Sequence, residues 1–314
     1  MCLQSRKSVK RQQGVVIVVA LFIVALVASM AYVMMFRLSR DTRQTTLILR
    51  HIEAEDLSTG SVAWARDHLR NDWEHQKQNQ VIDMMPVNPP VKEVNGYQIK
   101  SSIDDLQARY NLNNLSDKSA QSDFVRLIRF VMPKIPEEQA NQIASAASDW
   151  VTPVTQESEF DKYYLSLPAP YRAAHRAMVS PTELRLVKGM TPELYLALMP
   201  FVAALPAGTQ INLQTAPVEV LMTLDPTMTV DAAKAIVQLR SAQIIVSTDA
   251  FFNLDAVKNH RLPPEKLTVS SSYFLLQTEV SIENQHVLLY TVLERAVNRN
   301  KAIVNVMYQG KGSW

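Results

Sequence analysis

His51, His68, His75, His175, His260 and His286 are the side chains best suited to acid–base or metal chemistry, and their spacing organises none. No HExxH pair is present, and neither GxSxG, GxGxxG nor GxxxxGK[ST] occurs, so a zinc hydrolase, an α/β-hydrolase elbow, a dinucleotide fold and a P-loop each lack their signature. His68 and His75 lie seven residues apart on one helical face, which reads as a packed or solvated surface rather than a ligand pair. Cys2 is the single thiol. With no nucleophile–base pair and no metal set, the sequence reads as a non-enzyme.

One group of acids is suggestive. Glu157, Glu159 and Asp161 fall in a loop, preceded across a proline-containing segment by Asp149. Hard oxygen ligands gathered in an irregular loop can hold calcium, which takes six to eight oxygens. The other reading of Asp149, Glu157, Glu159 and Asp161 is a solvated loop, and residue types leave both open.

The element that must position everything else is Gly14–Phe36. From Val15 to Phe36 there are 22 residues without charge, proline or glycine. At about 1.5 Å per residue such a helix spans the ~30 Å apolar core of a bilayer. Arg6, Lys7, Lys10 and Arg11 precede it, with no acid among them. Three readings compete: a secretory signal peptide, a plain anchor, and a prepilin-type signal processed between Gly14 and Val15. The signal peptide fits least, because the apolar run passes through Tyr32, Met34, Met35 and Phe36 straight into Arg37. Arg37, Arg40 and Arg43 weaken the positive-inside bias, but the leader is too short to fold. The expected orientation is a single span with the N-terminus cytoplasmic and the C-terminal domains periplasmic.

Composition narrows the partners. The chain carries 32 Lys+Arg against 30 Asp+Glu, for a net charge of +2, and much of the excess lies beside the apolar run. Nucleic-acid binding is not indicated. The part beyond the leader has no cysteine, which suits an extracytoplasmic compartment without disulfides.

Periodicity then predicts an α+β fold. Residues 15–75 form a long N-terminal helix, transmembrane over 15–36, whose later stripe of Ala54, Leu57, Ser61, Trp64, Ala65 and His68 packs on a soluble domain. Strand signals begin at Val94 with an Asn95-Gly96 turn. From about residue 116 to 267 short helices follow one another, with start signals at Ser180-Pro181, Thr191-Pro192, Thr215-Ala216-Pro217 and Thr229-Val230. Period two returns in Tyr273–Ile282, Gln285–Arg295 and Ala302–Gln309. One small antiparallel sheet is expected, formed by 76–115 and 268–314, with a mostly helical domain, 116–267, inserted between its strands.

Three further stretches carry a resemblance: DLQARYNLNNL at 105–115, SPTELRLVKGMTPELYLALMPFVAALP at 180–206 and INLQTAPVEVL at 211–221. With the basic leader 1–14 and the apolar helix, they make the chain resemble the type IV pilin class, and within it the minor pseudopilin K family of the type II secretion system. The resemblance implies the pseudopilin fold, cleavage by the prepilin peptidase at Gly14–Val15, N-methylation of Val15, and partners in the inner membrane and the minor pseudopilins I and J. Most pseudopilins carry glutamate at mature position five, where this chain has Val19. A buried carboxylate is costly unless paired, and in assembled pilins it is thought to meet the terminal amine of the neighbour nearer the tip. A subunit with no neighbour above it needs none, so Val19 marks a tip position once the family is accepted. At the acid loop the chain departs from the family, reading Asp149-Trp150-Val151-Thr152-Pro153 where several aspartates are usual.

Two functions are therefore expected to compete. One is a structural role at the tip of a secretion pseudopilus, and the other is a single-pass inner-membrane protein bearing a binding module of a different envelope machine.

Overall fold

A computed structural model describes residues 13–79, 85–154, 156–242, 247–254, 257–258, 260 and 262–312. The basic residues of the leader and Cys2 lie outside them. The chain divides into two compact units, residues 1–55 and 56–314.

Helix α1 (Gln13–Asn79) supplies the described part of the first unit and the start of the second. Within it, Val15–Gln76 is the one described stretch long and apolar enough to cross a membrane. The apolar residues from Val15 to Phe36 are all exposed to the surroundings, as a lipid-facing anchor requires.

In the second unit five antiparallel strands form one sheet in the order β1 (Lys92–Val94), β2 (Tyr97–Asp105), β7 (Tyr273–Ile282), β8 (Gln285–Asn298), β9 (Lys301–Lys311). The expected α+β class is the observed one. Alternation makes β2 two-sided, with Tyr97, Ser101, Ile103 and Asp105 buried. Asn95 and Gly96 both take positive φ, 52° and 82°, the geometry of the tight hairpin that joins β1 to β2. Arg299 and Asn300, at 46° and 68°, turn β8 into β9 in the same way, which lengthens both strands beyond their expected ends.

One sheet face packs Ile103, Phe274, Leu276, Leu293 and Val304 against Val62, Ala65 and Leu69 of α1. The helical stripe is thus rotated from the expected one: Leu57, Trp64 and His68 are only half-buried, while Val62, Leu69 and Asp72 lie at its centre. Gly60 faces open space, and an added Cβ would meet nothing within 4 Å. Gly60→Ala is accordingly expected to stabilise the second unit by about 0.5–1 kcal/mol, read as a higher denaturation midpoint.

The opposite face, with Leu275 and Val292, is covered by Leu106, Ala203 and Leu205 from the segment inserted between β2 and β7. That segment builds two hydrophobic cores. The first includes α2 (Lys118–Val131), α3 (Glu137–Val151), α4 (Glu159–Leu165) and α5 (Pro192–Leu198). In it Phe124, Leu127 and Ile128 meet the small residues Ala140, Ala144 and Ala147. The second is built around α6 (Val218–Leu221), α7 (Val230–Ala242) and α8 (Thr248–Phe252). Asp123 ties the two together, bonding Arg126 at 2.6 Å and Lys266 at 2.9 Å, while Arg126 also donates to the Thr223 carbonyl. Ser180 starts a 3-10 turn over Pro181–Leu186, whereas Thr191 caps α5.

Candidate functional site

The three motif stretches come together around buried polar side chains. Asp105, at the end of β2, is the hub. Its Oδ1 accepts from the Gln107 amide at 2.8 Å, and its Oδ2 accepts from the Ser271 hydroxyl at 2.6 Å, from Asn212 Nδ2 at 3.0 Å and from the Thr215 hydroxyl. Burial raises its carboxyl above the usual range despite these four donors. The first and third stretches thereby meet the start of β7.

Asparagines join the first stretch to the second. Asn111 Oδ1 accepts from the Leu205 amide at 3.0 Å, and its Nδ2 donates to the Pro206 carbonyl at 2.8 Å. Asn113 donates to the carbonyls of Met178 and Leu205 and accepts from the Met178 amide at 2.7 Å. Asn114 Oδ1 accepts from Gly208 N at 2.8 Å. Short parallel pairs lock the same junctions: β3 (Tyr110–Asn111) with β4 (Val202–Ala203), and β5 (Ile211–Asn212) with β6 (Leu267–Thr268). Every one of these groups spends its hydrogen bonds on main chain or on another member of the cluster. The motifs build a scaffold and leave no aligned nucleophile and base.

The expected acid loop is only partly a loop, since Glu159 and Asp161 form the first turn of α4, started by the Ser158 cap. Asp161 is the third residue of α4 and closes a capping box: the Ser158 amide donates to its Oδ2 at 3.1 Å while the Ser158 hydroxyl accepts from the Asp161 amide. Asp149 Oδ2 accepts from the same hydroxyl at 3.0 Å. Glu157 and Glu159 are exposed. Asp161 Oδ1 is buried and outside strict hydrogen-bond geometry, with the Ala173 amide acting on the same carboxylate. One such oxygen is far from the six to eight that calcium takes, and among the described residues no three His, Cys, Asp or Glu side chains are placed to hold a metal ion. The four acids therefore do not fit a calcium site as they stand.

His175, which sequence spacing did not connect to this loop, is its centre. Nε2 lies 2.8 Å from Asp161 Oδ2, and Nδ1 lies 3.1 Å from the Asp149 carbonyl. Burial opposes charge on the ring, yet the hydrogen bond and charge of Asp161, with Asp149 behind them, raise its pKa above the ordinary histidine value. Burial likewise opposes charge on Asp161, but the Ser158 amide and His175 hold its carboxyl below the usual range. The Ser158-x-x-Asp161 spacing was a legible sign of the cap; fourteen residues separate Asp161 from His175 without any pattern.

At the other end of the chain, Gly14 and Val15 lie within α1, and Val19 stands 50% exposed on its apolar surface.

Residues 108–207 and 211–270 match two family models, both described as type II secretion system (T2SS), protein K. Their boundaries coincide closely with the two cores of the inserted segment. The type II secretion system protein K of Pseudomonas aeruginosa is 28% identical over 302 residues, covering 90% of this chain and 89% of that protein. That of Klebsiella pneumoniae is 27% identical over 304 residues, covering 91% and 93%. In the crystal structure of the GspK-GspI-GspJ complex from the enterotoxigenic Escherichia coli type 2 secretion system, one chain matches the fold with a TM-score of 0.72 at 22% identity, covering 86% of this chain and all of that one. From its two domains, its relatives along nearly the whole length and its fold, the chain belongs to the protein K family of the type II secretion system, a membrane-anchored pseudopilin of protein secretion.

Proposed function

We propose that this chain closes the tip of a type II secretion pseudopilus and helps start its assembly with the minor pseudopilins I and J. The observation that carries this is the two-core block between β2 and β7, which makes the subunit too bulky to repeat along a thin filament. Val19 supports the same reading, because a valine at that depth has no terminal amine to neutralise. The solved relative is itself in a complex of K, I and J, which supports those two partners.

Assembly requires a new N-terminus at the apolar helix. The prepilin peptidase cuts between Gly14 and Val15, Val15 is N-methylated, and residues beyond the span lie in the periplasm. The test is the full chain expressed with its secretion system. The chain purified from membranes is expected to begin at Val15 and to bring down I and J, whereas Gly14→Trp remains a precursor and secretion fails. An intact Met1, a cut near Ala31, or normal secretion by Gly14→Trp would overturn the proposal in favour of a plain anchor bearing another machine's binding module.

A further inference from the structure

His175 holds φ at +45°, in the left-handed region. Its two ring nitrogens each face an acceptor. Nδ1 faces a main-chain carbonyl and Nε2 faces a carboxylate, and both oxygens can only accept. A neutral imidazole has one N–H, so one of the two contacts would set a nitrogen lone pair against an oxygen lone pair. A doubly protonated ring donates to both.

The surroundings favour that charge from two sides. The Asp149 carbonyl belongs to the last turn of α3, the negative end of its dipole. The Asp161 carboxylate, itself buried, stands 2.8 Å from Nε2. Asp149 and Asp161 are the ionisable groups whose charge acts on the ring, and Arg172 and Arg176 beside it in the loop are exposed.

We infer that His175 is a built-in cation: as an imidazolium it joins the end of α3 to the start of α4 and takes the place of a bound divalent ion in the acid loop. The inserted domain is then braced without metal. This also accounts for the poor ligand set, because the Asp161 oxygen and the Asp149 carbonyl that a hard cation would need are already engaged by the ring.

The test uses the full chain in detergent with 15N-labelled histidine, the His175 signals being identified by their loss in His175→Gln. At neutral pH both ring nitrogens are expected to resonate as protonated, unmoved by calcium chloride or by EDTA, and the thermal midpoint is expected to be the same in either. His175→Gln is expected to lower that midpoint by roughly 5 °C in both solutions. An unprotonated ring nitrogen at neutral pH, or a wild-type midpoint that rises with calcium, overturns the inference. If the variant fails to fold, the wild-type titration with calcium and the nitrogen shifts decide it alone, with assignment by selective replacement of the other histidines.

Discussion

Replacing Arg295 by leucine is expected to destabilise the second unit by about 3–5 kcal/mol, because it removes the buried guanidinium that faces the Asp72 carboxylate. Arg295, on β8, and Asp72, on α1, pair at 2.6 Å with both side chains only 2% exposed. The same guanidinium donates to the carbonyls of Leu69 and Ser271, and it lies over the rings of Trp73 and Phe274 at 5.6 and 4.8 Å. One side chain thus binds the long helix, the sheet and the chain entering β7. Lysine would not substitute, since a single ammonium cannot reproduce the planar fork. Denaturant unfolding of the full chain in detergent checks the value. Removing both charges together, Asp72→Leu with Arg295→Leu, is expected to recover much of the loss, because the cost is mainly that of the carboxylate left buried. A deficit below about 1 kcal/mol for the single variant would show the pair to be solvated as surface pairs are.

Asp105→Ala is the second large effect, expected at about 2–4 kcal/mol, because four donors lose a shared buried acceptor. The hydroxyls of Ser271 and Thr215 can turn away. The Gln107 amide is fixed by the backbone, and Asn212 Nδ2 keeps its contact of 2.8 Å to the Ser271 oxygen but loses the one to the carboxyl. The pH dependence has a definite sign. Burial raises the carboxyl of Asp105 in the folded protein, so its contribution is fully present below the unfolded pKa and declines as pH rises through the folded one. The gap between wild type and Asp105→Ala should therefore be widest in acid and narrower at neutral pH. A gap that widens with pH would mean that the ionised carboxylate is the stabilised form.

These two residues differ in how far the sequence announced them. Asp105 opens DLQARYNLNNL, a stretch dense in short polar side chains among leucines, and such side chains are suited to capping turns and bonding main chain. Arg295 stands in an ordinary strand sequence, and nothing near it in the chain points to Asp72, more than two hundred residues earlier. His175 is a similar case. The acids are visible as a group, open to calcium or to solvent, and the protein sets the His175 ring among them from a loop of unremarkable composition.

The sequence by itself determined the features that local physics controls: a 22-residue apolar span with a basic start, the period-two strands, the Asn95-Gly96 hairpin and the cap at Thr191. These depend on hydropathy, spacing and backbone conformation within a few residues, so they survive reading one segment at a time. Only the tertiary structure decided which α1 face is buried, that the inserted segment holds two cores, and which charges meet in the interior. Those outcomes depend on pairings across long stretches of chain, where β2 hydrogen-bonds to β7 and Asp72 reaches Arg295, and neither composition nor periodicity carries partner identity over such distances. For the apolar helix the division runs the other way. Its length and flanks already specify what it enters, because a bilayer imposes its thickness on the chain without any tertiary partner.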